Sequence, residues 1–179
     1  MTTDPTAPMV KVWDPLQRGF HWLLLVMIAT CWLTGDDGPK TLHQASGYVA
    51  GGLIAFRLVW GVIGSRHARF ADFVRGPRAV LAYLAALWRG EEARHLGHNP
   101  AGGAMIVALL AVVGTTALTG WLQTTDLFWG SEALEELHEI AANLILVLAA
   151  FHVGGVLYES WHHRENLITA MIDGKKRAE

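Results

Sequence analysis

The sequence predicts an all-α membrane protein: a four-transmembrane-helix bundle with both termini cytoplasmic and a short interfacial helix between spans two and three. Three observations carry that prediction. Four apolar stretches approach or reach the roughly 20 residues that a membrane helix requires. Only 17% of the 179 residues are charged, 52% are hydrophobic and mean hydropathy is +0.29, whereas an ordinary soluble domain is about 25% charged. Finally, the lysines and arginines are sorted almost entirely to one side of the four stretches, although net charge is only −2.

Residues 1–12 are polar and rich in Thr and Pro, and read as a flexible or surface-lying tail. Residues 13–173 form one membrane domain, and residues 174–179 a basic tail. The first span is about Leu16 to Gly35, with Trp13, Trp22 and Trp32 near its ends as interface anchors. Arg18 before an apolar run raises the possibility of a secretory signal. The sequence before Cys31 lacks a small-residue cleavage pattern, so the segment is expected to stay as an uncleaved helix.

Segment DDGPKTL leads to the second span, about His43 to Gly64. Its Gly47, Gly51 and Gly52 permit either close helix packing or room for something bulky against the backbone. Between spans two and three, Pro77 to Arg89 reads as a helix opened by proline, too short to cross and suited to the interface. Asn99-Pro100 signals the start of span three, about Ala101 to Leu122, in which Gly102, Gly103, Gly114 and Gly120 suit close packing. Span four is about Leu134 to Glu159, and Asn166 to Ile172 reads as a short surface turn.

Lys11 and Arg18 precede span one. Arg66, Arg69, Arg75, Arg78, Arg89 and Arg94 lie between spans two and three, and Arg164, Lys175, Lys176 and Arg177 follow span four. Only Lys40 falls on the other side, where Asp36, Asp37, Asp126, Glu132, Glu135, Glu136 and Glu139 collect. The positive-inside rule then puts both termini in the cytoplasm.

Four histidines lie in the spans. His138 and His152 are fourteen residues apart on span four, which places both rings on one helix face about 21 Å apart along the axis. With the spans oriented as above, His21 shares a depth with His152 near the cytoplasmic side, and His43 shares one with His138 near the outer side. Histidines hydrogen-bonded to neighbouring helices or reaching for the interface are the bland alternative. The repeated match of depths favours ligands. Two facing imidazoles at each level suit a b-type haem with both axial positions filled. Zinc is a poorer fit because no Cys or carboxylate completes a tetrahedral site, and within the four spans the Glu-x-x-His spacing of a di-iron centre occurs only at Glu135 and His138.

Arg57, an ionisable residue well inside span two, lies near the level of His21 and His152 and suits a haem propionate, with snorkelling to the headgroups as its alternative. Arg18 is a second propionate candidate. His67, His95, His98, His162 and His163 are expected to be surface residues. A lone cysteine excludes an internal disulfide and any Cys-based cluster. No nucleic-acid partner is expected.

The motifs VWDPLQRGFHW around His21, LHQASGYVAGG around His43, RLVWG from Arg57, GHNPAG before span three, TGW at its end and LHEIAANLILVLAAFHVGGVLYE around His138 and His152 occur in order. Over about Val12 to Asp173 the chain thereby resembles the bacterial cytochrome b561 and nickel-hydrogenase di-haem cytochrome b family. The resemblance implies a multi-pass protein of the bacterial inner membrane with two haems b, one held by His21 and His152 on the cytoplasmic side and one by His43 and His138 on the outer side. It implies electron relay between a quinone pool and a redox partner: a hydrogenase, another dehydrogenase, a soluble cytochrome such as cytochrome c, or a small oxidant such as superoxide. The chain would be a quinone-linked oxidoreductase, or the membrane-anchoring electron-transfer subunit of a hydrogenase or dehydrogenase complex. A haem-free carrier or proton pathway, colourless when purified, is the alternative from another class.

Overall fold

The computed structural model describes residues 8–35 and 37–178; part of the expected N-terminal tail and Asp36 of the acidic set lie outside them. Four helices among the described residues are long and apolar enough to cross a membrane: α1 (Pro15–Leu33), α2 (Lys40–Ile63), α5 (Pro100–Leu122) and α6 (Glu132–His162). At 1.5 Å per residue they run about 28, 36, 34 and 46 Å, against a hydrocarbon core of about 30 Å. Between α2 and α5 come a 3-10 turn (Arg66–Ala68), the single turn α3 (Phe70–Phe73) and α4 (Pro77–Arg89). The short helix α7 (Leu167–Asp173) follows α6.

The helix boundaries follow local chemistry. Asp14 accepts from the Gln17 amide at 2.9 Å, and Pro15 opens α1. Asn99 caps α5 by accepting from the Gly102 amide at 2.6 Å ahead of Pro100, and Asn166 caps α7 through the Thr169 amide at 3.0 Å. Helix α4 begins at Pro77 and stops at Gly90, whose φ of +66° is left-handed backbone that favours glycine. On α4, Tyr83 is buried whereas Leu81, Leu84 and Trp88 are exposed.

The chain divides into two compact units. The first comprises Met1–Arg18, Trp60–Val107 and Ala150–Glu179. Within it the two chain ends meet: β1 (Met9–Lys11) pairs antiparallel with β2 (Lys175–Arg177), with Val10 opposite Lys176. Val12, Trp13 and Ala170 form a small apolar core against these strands, and the Val12 and Trp13 amides both donate to the Gly174 carbonyl. Segments that read as tails therefore contain paired backbone. Three-residue strands carry no periodic signal, and their partners are far apart in sequence.

Other interactions reinforce the first unit. Glu165 accepts from Arg94 at 3.0 Å and from the Arg177 amide at 2.8 Å, and lies 3.6 Å from buried Lys176. Phe73 is fully buried beneath Gly103, where an added Cβ would stand 2.6 Å from the Phe73 carbonyl oxygen. Asp14 also receives the Ser65 hydroxyl and the Trp60 indole N–H. These contacts fix the start of α1 against the end of α2 and the segment that follows it.

The second unit, Gly19–Val59 and Ala108–Ala149, contains parts of α1, α2, α5 and α6. Ile54, Val113 and Ile145 form its buried apolar cluster, with Leu24, Ile28, Leu110 and Val112 packed around them, so all four helices contribute to one core. Many large apolar side chains on the same helices point outward, among them Leu25, Val26, Leu58 and Val147. Outward-facing apolar residues at this density suit lipid as the surrounding solvent.

Candidate functional site

His43 and His138 are brought together within the second unit, on α2 and α6. Their ring centres are 6.2 Å apart and the ring planes are inclined by 65°. Each ring is anchored through Nδ1. His43 Nδ1 lies 3.0 Å from the Cys31 carbonyl oxygen, and His138 Nδ1 lies 3.0 Å from the Thr116 carbonyl oxygen and 3.1 Å from the Thr119 hydroxyl. A carbonyl only accepts, so these contacts require Nδ1–H. In the neutral imidazole they leave Nε2 with its lone pair.

Three residues that shape this pair carry no ligand chemistry in the sequence. Cys31, at the end of α1, supplies the carbonyl that orients His43. Thr119 is buried, with its hydroxyl 2.9 Å from the Thr115 carbonyl oxygen and beside the His138 ring. Gly120 faces the same ring, where a Cβ would stand 2.9 Å from His138 Cε1 and 3.3 Å from Nδ1.

The sequence allots Gly120 to helix packing; in the structure its missing side chain makes room for an imidazole. The neighbouring glycines divide differently. A Cβ on Gly51 would meet Ala117 at 3.5 Å and one on Gly114 would meet Ile54 at 3.6 Å, both ordinary helix contacts, whereas one on Gly47, a turn after His43, would meet nothing within 4 Å. Open space on the His43 face is consistent with room for a bulky group.

His21 and His152 do not share a unit: His21 belongs to the second and His152 to the first. Both are partly buried, and their pairing rests on the depth argument from the sequence. Arg57, in the second unit, has 0% exposure. Its guanidinium is enclosed by protein. Arg18, in the first unit, donates to the Ile172 carbonyl, which ties the start of α1 to α7.

His98, His162 and His163, expected at the surface, are each partly buried and make contacts the sequence does not show. His98 packs against Trp13 and Phe73, with ring centres at 4.5 and 4.8 Å. His162 lies 3.3 Å from Glu92 and His163 3.2 Å from Glu159. Sequence position puts them in a polar segment; the carboxylates that draw them inward come from far along the chain or one helical turn back. Among the described residues, no three His, Cys, Asp or Glu side chains converge as a metal site. The donor set near α2 and α6 is thus two imidazoles.

Comparison with known proteins agrees with this architecture. The family described as prokaryotic cytochrome b561 matches residues 12–174. A probable Ni/Fe-hydrogenase B-type cytochrome subunit from Bradyrhizobium diazoefficiens is 23% identical, over 95% of this chain and 87% of its own length. One from Rhodobacter capsulatus is 25% identical, over 93% and 81%. No solved structure matches the chain at comparable significance. The chain therefore belongs to the prokaryotic cytochrome b561 and nickel-hydrogenase cytochrome b family, and is an integral-membrane, cytochrome-b-like electron carrier related to the cytochrome b subunits of hydrogenases and dehydrogenases.

Proposed function

We propose that the chain is the membrane cytochrome b subunit of a hydrogenase or dehydrogenase complex in the bacterial inner membrane, relaying electrons between that enzyme and a quinone pool. The observation that carries the reading is the His43–His138 pair. The two imidazoles stand with ring centres 6.2 Å apart and would hold a haem iron between them, the group that supplies one-electron chemistry. The Nδ1 contacts fix the tautomer that ligation by Nε2 requires.

His43 and His138 would hold the outer-side haem and His21 and His152 the cytoplasmic-side haem, with both termini in the cytoplasm. Bound haem supplies one-electron redox chemistry. The chain's own residues orient the ligands, exclude water and set the local charge. Arg57 holds a buried cation that suits a propionate, since a guanidinium binds a carboxylate through two N–H groups. Arg18 is a weaker anchor because part of its donor capacity goes to the Ile172 carbonyl.

The subunit reading is supported by both hydrogenase-type relatives, each similar over more than four-fifths of its own length. Purification from native membranes in mild detergent tests it: a hydrogenase or dehydrogenase is expected to co-purify. A chain that purifies alone and oxidises quinol with superoxide or cytochrome c as acceptor would replace this reading with a stand-alone quinone oxidoreductase. A colourless preparation would favour a haem-free carrier.

A further inference from the structure

The first unit contains a cluster of buried and partly buried ionisable groups with no part in holding a haem. Glu159 lies seven residues beyond His152 on α6, about 10.5 Å along the axis and within about 20° of the same face. Its Oε1 accepts from the Tyr83 hydroxyl at 2.7 Å and from Asn99 Nδ2 at 2.8 Å, and its Oε2 lies 3.2 Å from His163 Nε2. The Glu92 side chain has 0% exposure and lies 3.3 Å from His162 Nε2.

The two histidine rings stand edge to face with centres 5.0 Å apart, so the Glu92–His162 and His163–Glu159 pairs are continuous. His162 stacks on Tyr158 at 5.6 Å and retains 30% side-chain exposure, giving the cluster an opening to water. Tyr83 also meets His95 edge-on at 5.7 Å. Lys176 donates to the His95 carbonyl at 2.8 Å and leads on to Glu165 and Arg94. Burial, then Glu159, pushes the Tyr83 hydroxyl far above the usual phenol range, so it remains a donor at neutral pH.

A purely structural ion-pair network would also bury such groups. Two features argue for more. The carboxylates are paired with imidazoles, the side chains that exchange protons near neutral pH, and not with the arginines abundant nearby. In addition, Glu159 repeats the seven-residue stripe of His138, Ile145 and His152, which aligns the cluster with the redox ligand on one helix face.

We propose that Glu159, His163 and the Glu92–His162 pair form a proton-exchange site, which takes up a proton from the adjoining aqueous phase when the redox centre at His152 gains an electron and releases it when the electron leaves. The inference rests on the haem reading above. The electron comes from quinol or from the enzyme partner. One O–H or N–H bond forms in the cluster, and the matching bond breaks in the hydronium or buffer acid that donates the proton. At an effective dielectric of about 20 and a separation of about 10–12 Å, one added electron raises a neighbouring group's pKa by about one unit. Proton uptake is therefore partial at each pH, and the midpoint potential falls as pH rises between the cluster's oxidised-state and reduced-state pKa values.

Redox titration of the purified, haem-loaded chain between pH 5.5 and about pH 8.5, followed in the visible spectrum, tests the proposal. The wild type is expected to show one pH-dependent and one weakly dependent haem. Glu159→Gln and Glu92→Gln should each flatten the dependent one, and Glu159→Asp should restore part of the slope. Redox-difference infrared spectra should show a carboxyl band that Glu159→Gln or Glu92→Gln removes. If Glu159→Gln fails to assemble, Glu92→Gln decides, because its carboxylate lies outside the Tyr83–Asn99–Glu159 contacts. Two pH-independent haems in the wild type, or a slope unchanged in every assembled Gln variant, would overturn the proposal while leaving the haem reading intact. Absence of haem would instead defeat the haem reading itself.

Discussion

Gly120→Ala isolates the contribution of one missing methyl group to the geometry of His138. The added Cβ would stand 2.9 Å from Cε1 and 3.3 Å from Nδ1, whereas carbon atoms rest about 3.5–4.0 Å apart. The ring must therefore retreat by about 0.6 Å or more. It is not free to do so without loss, because its Nδ1 is 3.0 Å from the Thr116 carbonyl oxygen and 3.1 Å from the Thr119 hydroxyl. A shift of that size must lengthen or bend these contacts, and a hydrogen bond weakens steeply once its length or angle departs from the optimum. Disturbing the group that orients a metal-bound histidine typically weakens binding about 10–100-fold. The outer haem should be lost or loosened by that factor, and the cytoplasmic-side haem should stay. Gly114→Ala, whose Cβ would meet Ile54 at 3.6 Å, should retain both. Haem quantification and reduced-minus-oxidised spectra of the two variants provide the assay. A Gly120→Ala protein with both haems, unchanged potentials and unchanged affinity would refute the reasoning.

Other substitutions probe the remaining parts of the site. His43→Ala and His138→Ala should each remove the outer haem, and His21→Ala and His152→Ala the cytoplasmic-side one. Each should leave about half the pigment, and full retention in any of them would defeat that assignment. Arg57→Ala should keep most of the haem but lower the potential of the cytoplasmic-side centre, because loss of a buried cation disfavours the reduced state; an unmoved potential would sink the role. Burial acts to raise the Asp14 carboxyl, but hydrogen bonds from Ser65, the Gln17 amide and Trp60 outweigh it and hold the group below the usual carboxylate range. Its stabilisation is then complete above the unfolded value of about 3.9 and is lost as pH falls through the depressed folded value. Thermal melts should show this acid limb in the wild type and a smaller one in Asp14→Asn, at a cost near neutral pH of about 0.5–2 kcal/mol.

The four spans were legible because each is long, apolar and bounded by chemistry that acts locally. Asn99-Pro100 and Pro77 begin helices where the residues dictate, and the Pro77–Arg89 helix ends at a glycine suited to left-handed backbone. The approach of His43 to His138 was legible as well, since helical rise fixes depth once the order of the spans is known. What could not be read depends on contacts between distant segments. The β1–β2 pairing joins residues at opposite ends of the chain, and Glu92 meets His162 across some seventy positions. The role of Gly120 was hidden because a glycine that admits a neighbouring helix and one that admits an imidazole look alike until the neighbour is known. Likewise the complete burial of Arg57 depends on packing between helices that a lone arginine in an apolar span does not announce.

The account stands most directly on how many haems the wild-type chain binds and with what ligands. Haem quantification per chain, combined with low-temperature electron paramagnetic resonance of the oxidised protein, measures both. Two haems b per chain, each a low-spin bis-histidine centre, is the predicted result. A single haem, a high-spin centre with an open position, or a colourless protein with normal helix content would contradict it.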